Sequence, residues 1–147
     1  MKKIITKNAN ETKELGRSIS KDFQGGEIVC LEGDLGAGKT TFSQGILQGL
    51  GAEGPYTSPT FIVMKEYRIE NNQIKNGKQG VKKIYHLDTY RVETSDILDL
   101  GWNELVANKN NVIIIEWSEK IKEIIPDNSF WVKFKHLPNN RREIIFS

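Results

Sequence analysis

The sequence predicts an α/β fold in which strands and helices alternate, and three observations carry that prediction. Residues 27–32 and 112–116 are short apolar runs without polar alternation, as strands covered on both faces should be. Phe42, Ile46, Leu47 and Leu50 recur at helical spacing, with Gly51 where a helix would stop. Between the first of those strands and that helix lies Gly33-Asp34-Leu35-Gly36-Ala37-Gly38-Lys39-Thr40, which meets the pattern G-x-x-x-x-G-K-[ST] at every defined position. Strand, glycine-rich loop and helix is the order that a phosphate-binding loop requires.

Taken in order, residues 3–6 form a short opening strand. Asn8-Ala9-Asn10-Glu11 has capping-box spacing, so a helix starts there with Leu15, Ile19 and Phe23 on one face, and Gly25-Gly26 closes it. After the helix that follows the glycine loop, residues 51–60 are a loop containing Gly54-Pro55 and Ser58-Pro59, and residues 61–69 alternate as a strand. Residues 70–83 are polar and lysine-rich, with Asn76-Gly77 and Gly80, the composition of an exposed hairpin tip. Its lysines are either a solvated tip or a contact for an RNA backbone. Residues 84–88 form a strand ending in Asp88, and Ser95-Asp96-Ile97-Leu98 opens a short helix interrupted near Gly101, with Leu105 continuing its apolar face. The strand 112–116 ends in Glu116. Ser118 is placed to cap a short helix that stops before Pro126. Residues 130–136 and 142–146 form a closing pair of strands around Pro138-Asn139-Asn140, which brings the count to about seven strands in one domain over residues 1–147.

The chemistry concentrates at the glycine loop. Glycines let successive backbone N–H groups turn inward around an anion, and the helix that opens there adds its free N–H groups and the positive end of its dipole. Lys39 then meets the outer phosphates as a point charge, and the Thr40 hydroxyl can ligate Mg²⁺. Thr41 either binds the innermost phosphate or is simply the second helical residue. The metal needs an acid at the end of a neighbouring strand, and Asp88 and Glu116 both qualify. Glu116 follows Val112-Ile113-Ile114-Ile115, the look of a Walker B element, and can serve Mg²⁺ or orient an attacking water. Which of the two acids touches the metal is open at this point. His86 shares a strand face with Asp88, as a sheet hydrogen-bonding residue or a catalytic one. Trp117 walls the pocket, forms a partner surface or packs in the core, and Arg91 is either a charge-stabilising arginine or half of an ion pair. Ser58-Pro59-Thr60 is placed like a segment that senses the terminal phosphate, or is an ordinary proline turn.

Composition narrows the remaining classes. The 147 residues carry ordinary hydrophobic and charged fractions, and a formal charge of +2 does not by itself argue for nucleic acid or membrane binding. The single cysteine, Cys30, excludes an internal disulfide and sits inside an apolar strand as a structural thiol. No apolar run approaches membrane-spanning length and Met1-Lys2-Lys3 leads into no signal core, so a cytoplasmic location is expected.

These residues together resemble the TsaE family, the small bacterial ATPases of the tRNA threonylcarbamoyladenosine pathway. The resemblance runs through residues 33–41, Ser58-Pro59-Thr60-Phe61, His86-Leu87-Asp88-Thr89-Tyr90-Arg91 and Glu116-Trp117-Ser118-Glu119 in matching order, and back to Glu11-Thr12 and Leu15-Gly16. It implies a P-loop NTPase-like three-layer sandwich with a mostly parallel central sheet and some antiparallel strands. It implies ATP and Mg²⁺ as ligands, slow hydrolysis by the isolated protein, and action with TsaB and TsaD on adenosine 37 of tRNAs that read ANN codons. Carried over by motif, Lys39, Thr40 and Thr41 bind phosphate and metal, Asp88 and Glu116 serve Mg²⁺ and hydrolysis, Trp117 matters for activity, and Asn8 lies near the adenine. The longer excursion at residues 70–83 departs from the family pattern. Two other readings share the loop: a small-molecule or nucleotide kinase, and an ATP-dependent switch module in which hydrolysis is incidental.

Overall fold

The computed structural model describes residues 2–57, 59, 63–70 and 80–147. Seven strands form a single sheet: β1 (Lys2–Thr6), β2 (Ile28–Gly33), β3 (Met64–Arg68), β4 (Lys83–Asp88), β5 (Asn111–Glu116), β6 (Phe130–His136) and β7 (Arg142–Phe146). Their spatial order is β1-β7-β6-β2-β5-β4-β3. The four central strands, β6-β2-β5-β4, run parallel, whereas β3 joins β4, β7 joins β6 and β1 joins β7 in antiparallel pairs. The sheet is therefore mixed, with its parallel part where both faces are covered.

The sequence explains that division. β2 and β5 are buried along almost their whole length, and their alternate residues supply two separate cores. Val29, Leu31, Ile84, Val112 and Ile114 face the helices α1 (Ala9–Ser20) and α2 (Lys39–Gly49). Ile28, Cys30, Leu87, Ile113 and Ile115 face the other side, against Ile97 of α3 (Thr94–Asp99), Trp102 of α4 (Trp102–Ala107) and Ile121 of the 3₁₀ segment Ser118–Ile124. Three layers result.

Asn8 caps α1 as its spacing predicts: its side chain accepts from Glu11 N at 2.9 Å, and Glu11 accepts in return from Lys7 N. The face that α1 buries differs from the predicted one. Thr12, Gly16 and Ser20 are the buried residues, while Leu15 and Ile19 pack at the margin and Phe23 lies beyond the helix end. The reason is the closeness of α2: a Cβ at Gly45 would collide with Lys13 O, and one at Gly16 with Phe42 O. Small residues win the seam because the two helix backbones touch there.

Two further expectations are corrected. Ser118 does not cap a helix; Trp117 occupies that position at φ 63°, and the Ser118 hydroxyl donates back to Ile115 O at 2.7 Å. Of the strand expected over residues 61–69, the described part is regular over Met64–Arg68, and Val63, at φ 65°, is not extended. Residues 60–62 and Ser58 of the proposed sensing segment, and residues 71–79 of the lysine-rich excursion, lie outside the described residues. Gly101, at φ 88°, interrupts α3 and α4 where predicted.

Cys30 is fully buried, and that burial pushes its thiol up to about 12, against weaker help to the thiolate from Ser118 and Ser129. The thiolate is the reactive form, so native protein should not react with a thiol-directed reagent at neutral pH. Labelling followed by mass measurement checks this: modification is expected only after denaturation. No helix among the described residues is long and apolar enough to cross a membrane.

Candidate nucleotide-phosphate site

The site forms at the carboxyl ends of β2, β4 and β5. The chain leaves β2 at Gly33 and turns through Gly36 (φ 77°) and Gly38 (φ 106°), conformations that a side chain would strain. It then enters α2 directly at Lys39, with no side chain capping the helix. The N–H groups at that end are thus left to a ligand. Leu35, Gly36, Gly38, Lys39, Thr40, Thr41, Asp88, Tyr90, Arg91, Glu116, Trp117 and Arg142 line a cleft of about 440 Å³.

Lys39 is nearly buried at 4% exposure. Its Nζ donates to Gly33 O at 2.5 Å and Asp34 O at 2.9 Å, and it stands 4.0 Å from the centroid of the Trp117 ring. Burial lowers its pKa below the ordinary lysine value, and the carboxylates of Glu116, Glu119, Asp34 and Asp88 oppose that shift. Glu119, close by, is raised by burial and by the charge of Glu32.

The two strand-end acids are brought side by side by register: Asp88 of β4 is the pairing partner of Glu116 of β5. Both are buried. Glu116 is held at both oxygens. The Thr40 hydroxyl donates to Oε1 at 2.8 Å, and His86 Nε2 lies 2.6 Å from Oε2. Asp88 Oδ1 accepts from Tyr90 N at 2.9 Å, which folds the following loop over the cleft. Thr89 fixes the facing turn by donating to Trp117 O at 2.7 Å. Trp117 and Tyr90 then meet with ring centroids 4.7 Å apart and form one wall.

The donor set suits Mg²⁺. It offers a hydroxyl and carboxylates, all hard oxygens, and no cluster of three or more His, Cys, Asp or Glu able to hold a metal occurs among the described residues. Mg²⁺ takes few protein ligands and completes its shell with water and phosphate. The hydrogen bond of 2.8 Å between Thr40 and Glu116 holds the two oxygens side by side at the end of the glycine loop.

Of the residues singled out in the sequence, Gly36, Gly38, Leu35, Lys39, Thr40, Thr41, Asp88, Glu116 and Trp117 line one cleft. Gly33 and Asp34 contribute carbonyls to Lys39, and Ala37 is buried beneath the loop. Asn8 is not among the lining residues, and its side chain is used on the α1 cap. Arg91 lines the cleft and makes no ion pair among the described residues. Sequence reasoning missed Tyr90 and Arg142. Arg142 opens β7, and its guanidinium packs beside Gly38 through the β6–β7 pairing. Tyr90 stands inside the motif at residues 86–91, between Asp88 and Arg91, whereas nothing local marks Arg142.

Comparison with known proteins gives the family. The model for "Threonylcarbamoyl adenosine biosynthesis protein TsaE" matches residues 6–144. The chain belongs to the TsaE family. It is 37% identical over 142 residues to the tRNA threonylcarbamoyladenosine biosynthesis protein TsaE of Bacillus subtilis, covering 97% of this chain and 82% of that one. It is 31% identical to the protein of the same name from Treponema pallidum, over 97% of each chain. The crystal structure of Bacillus subtilis YdiB superposes with a TM-score of 0.75 at 32% identity, covering 99% of this chain and 83% of that one.

Proposed function

We propose that this TsaE-family chain is a Mg²⁺-dependent ATPase that supports threonylcarbamoylation of adenosine 37 in tRNAs reading ANN codons, in concert with TsaB and TsaD. The observation that carries the reading is the convergence of Thr40 and Glu116, 2.8 Å apart, at the mouth of the glycine loop. Family membership supplies the pathway, and the cleft supplies the chemistry.

A bound Mg²⁺ would neutralise charge on the outer phosphates. The chain's own residues do the rest. The loop N–H groups and Lys39 grip the phosphates, and Arg142 beside Gly38 and Arg91 across the cleft add positive charge. Thr40 and Glu116 would hold the metal, and Asp88, whose Oδ1 accepts from Tyr90 N, would orient water. Trp117 and Tyr90 shield one side of the cleft from solvent.

Arg91 is exposed and held by no partner among the described residues, so it is poorly preorganised to stabilise a transition state. A well-placed arginine contributes about 10³–10⁵ in rate, so the isolated chain should turn over slowly. Phosphate release should accelerate when TsaB and TsaD are added. Equal rates with and without them would overturn the partnership, and unaltered threonylcarbamoyladenosine in tRNA after depletion of this chain would overturn the pathway role.

A further inference from the structure

His86 is the one buried histidine among the described residues, 1% exposed on the α2 face of β4. Its Nε2 lies 2.6 Å from Glu116 Oε2, while its Nδ1 has no partner among the described residues. A buried ring nitrogen without a partner costs stability, and an apolar side chain on this strand would avoid that cost. Ile84 and Ile114 show that the surrounding face accepts one. What the histidine supplies is therefore its Nε2 contact.

The geometry points to His86 as a positioning residue for Glu116, and so for the metal. A carboxylate free to rotate can chelate an ion through both oxygens or turn away from it. With Nε2 on Oε2, the carboxylate would be held to offer an ion its Oε1, which faces the Thr40 hydroxyl. Thr40 in turn donates its proton to Oε1, which leaves its oxygen lone pairs free to meet a cation held beside the pair. The order is β4, then β5, then α2: a histidine holds an acid, and the acid holds a hydroxyl. The inference rests on the Mg-ATP reading and specifies which residue builds its metal pole.

His86→Gln and His86→Asn test it, because both are amides and differ by one methylene. The Gln amide nitrogen reaches the place of Nε2, and the Asn one reaches only that of Nδ1. Calorimetry with a non-hydrolysable ATP analogue, with and without Mg²⁺, gives the affinity gain that the metal confers. For His86→Asn that gain should fall about tenfold or more, in the range that residues behind metal ligands show, with Mg²⁺-free affinity unchanged. His86→Gln should restore most of it. An unchanged gain in His86→Asn overturns the inference. So does an equal loss with and without Mg²⁺ that Gln does not repair, since that marks a purely structural residue. Should His86→Asn not fold, His86→Leu replaces it under the same criteria. A wild-type chain that binds the analogue with no gain from Mg²⁺ would overturn the Mg-ATP reading itself, and this inference with it.

Discussion

Replacing Lys39 by Ala should weaken Mg-ATP binding about 100-fold or more and bring hydrolysis below detection, with little change in melting temperature. The ammonium sits at the one place where the loop carbonyls, the Trp117 face and the strand-end acids converge. Removing one member of a desolvated charge pair costs about 2–5 kcal/mol, and 3 kcal/mol is about 150-fold in affinity. Stability should be nearly indifferent. Among the described residues Lys39 hydrogen-bonds to two carbonyls and rests against the Trp117 ring, and its desolvation, the first cause of its lowered pKa, is unfavourable. Ala removes both the cost and the bonds. Lys39→Arg should fare little better, because a planar fork does not fit where a compact ammonium bridges Gly33 O and Asp34 O. Calorimetry with Mg-ATP at fixed ionic strength, beside thermal melts, measures both halves. Wild-type affinity in the Ala variant would remove the phosphate site from the account.

How far this arrangement could be read in advance depended on whether the determining interaction was local. β2, the glycine loop and α2 are consecutive, so burial on both faces, positive φ at Gly36 and Gly38, and the apolar spacing of α2 each leave a mark in adjacent residues. Asp88 and Glu116 were legible as acids ending apolar strands. That they are register partners was not, because strand order is a property of the sheet rather than of either strand. The His86–Glu116 contact follows from that same register across 30 residues. Arg142 reaches Gly38 only because β7 folds back along β6, which itself pairs with β2. The buried face of α1 was misjudged for a related reason. Hydrophobic spacing shows which residues avoid water, whereas the seam with α2 selects residues small enough for two backbones to touch.

Glu116→Gln should lower Mg-ATP affinity about tenfold or more, as loss of the acid that holds the metal requires, and should reduce hydrolysis at saturating Mg-ATP about 100-fold or more, the further drop marking loss of charge stabilisation during reaction. The substitution is isosteric, and its new hydrogen bonds can be satisfied. The amide oxygen still accepts from Thr40, and the amide nitrogen donates to His86 Nε2 if the imidazole carries its proton on Nδ1, which now lacks a partner. The fold should therefore survive, and only the negative charge at the metal pole is lost. Glu116→Ala is less informative, because it strands His86 Nε2 and the Thr40 hydroxyl together. Because the Gln variant can still be saturated with Mg-ATP, it also separates turnover from occupancy. If hydrolysis drives the pathway, cells carrying Glu116→Gln should make little threonylcarbamoyladenosine. Near-normal levels would mean that holding Mg-ATP is enough, and that the cleft acts as a nucleotide-dependent switch whose hydrolysis is incidental.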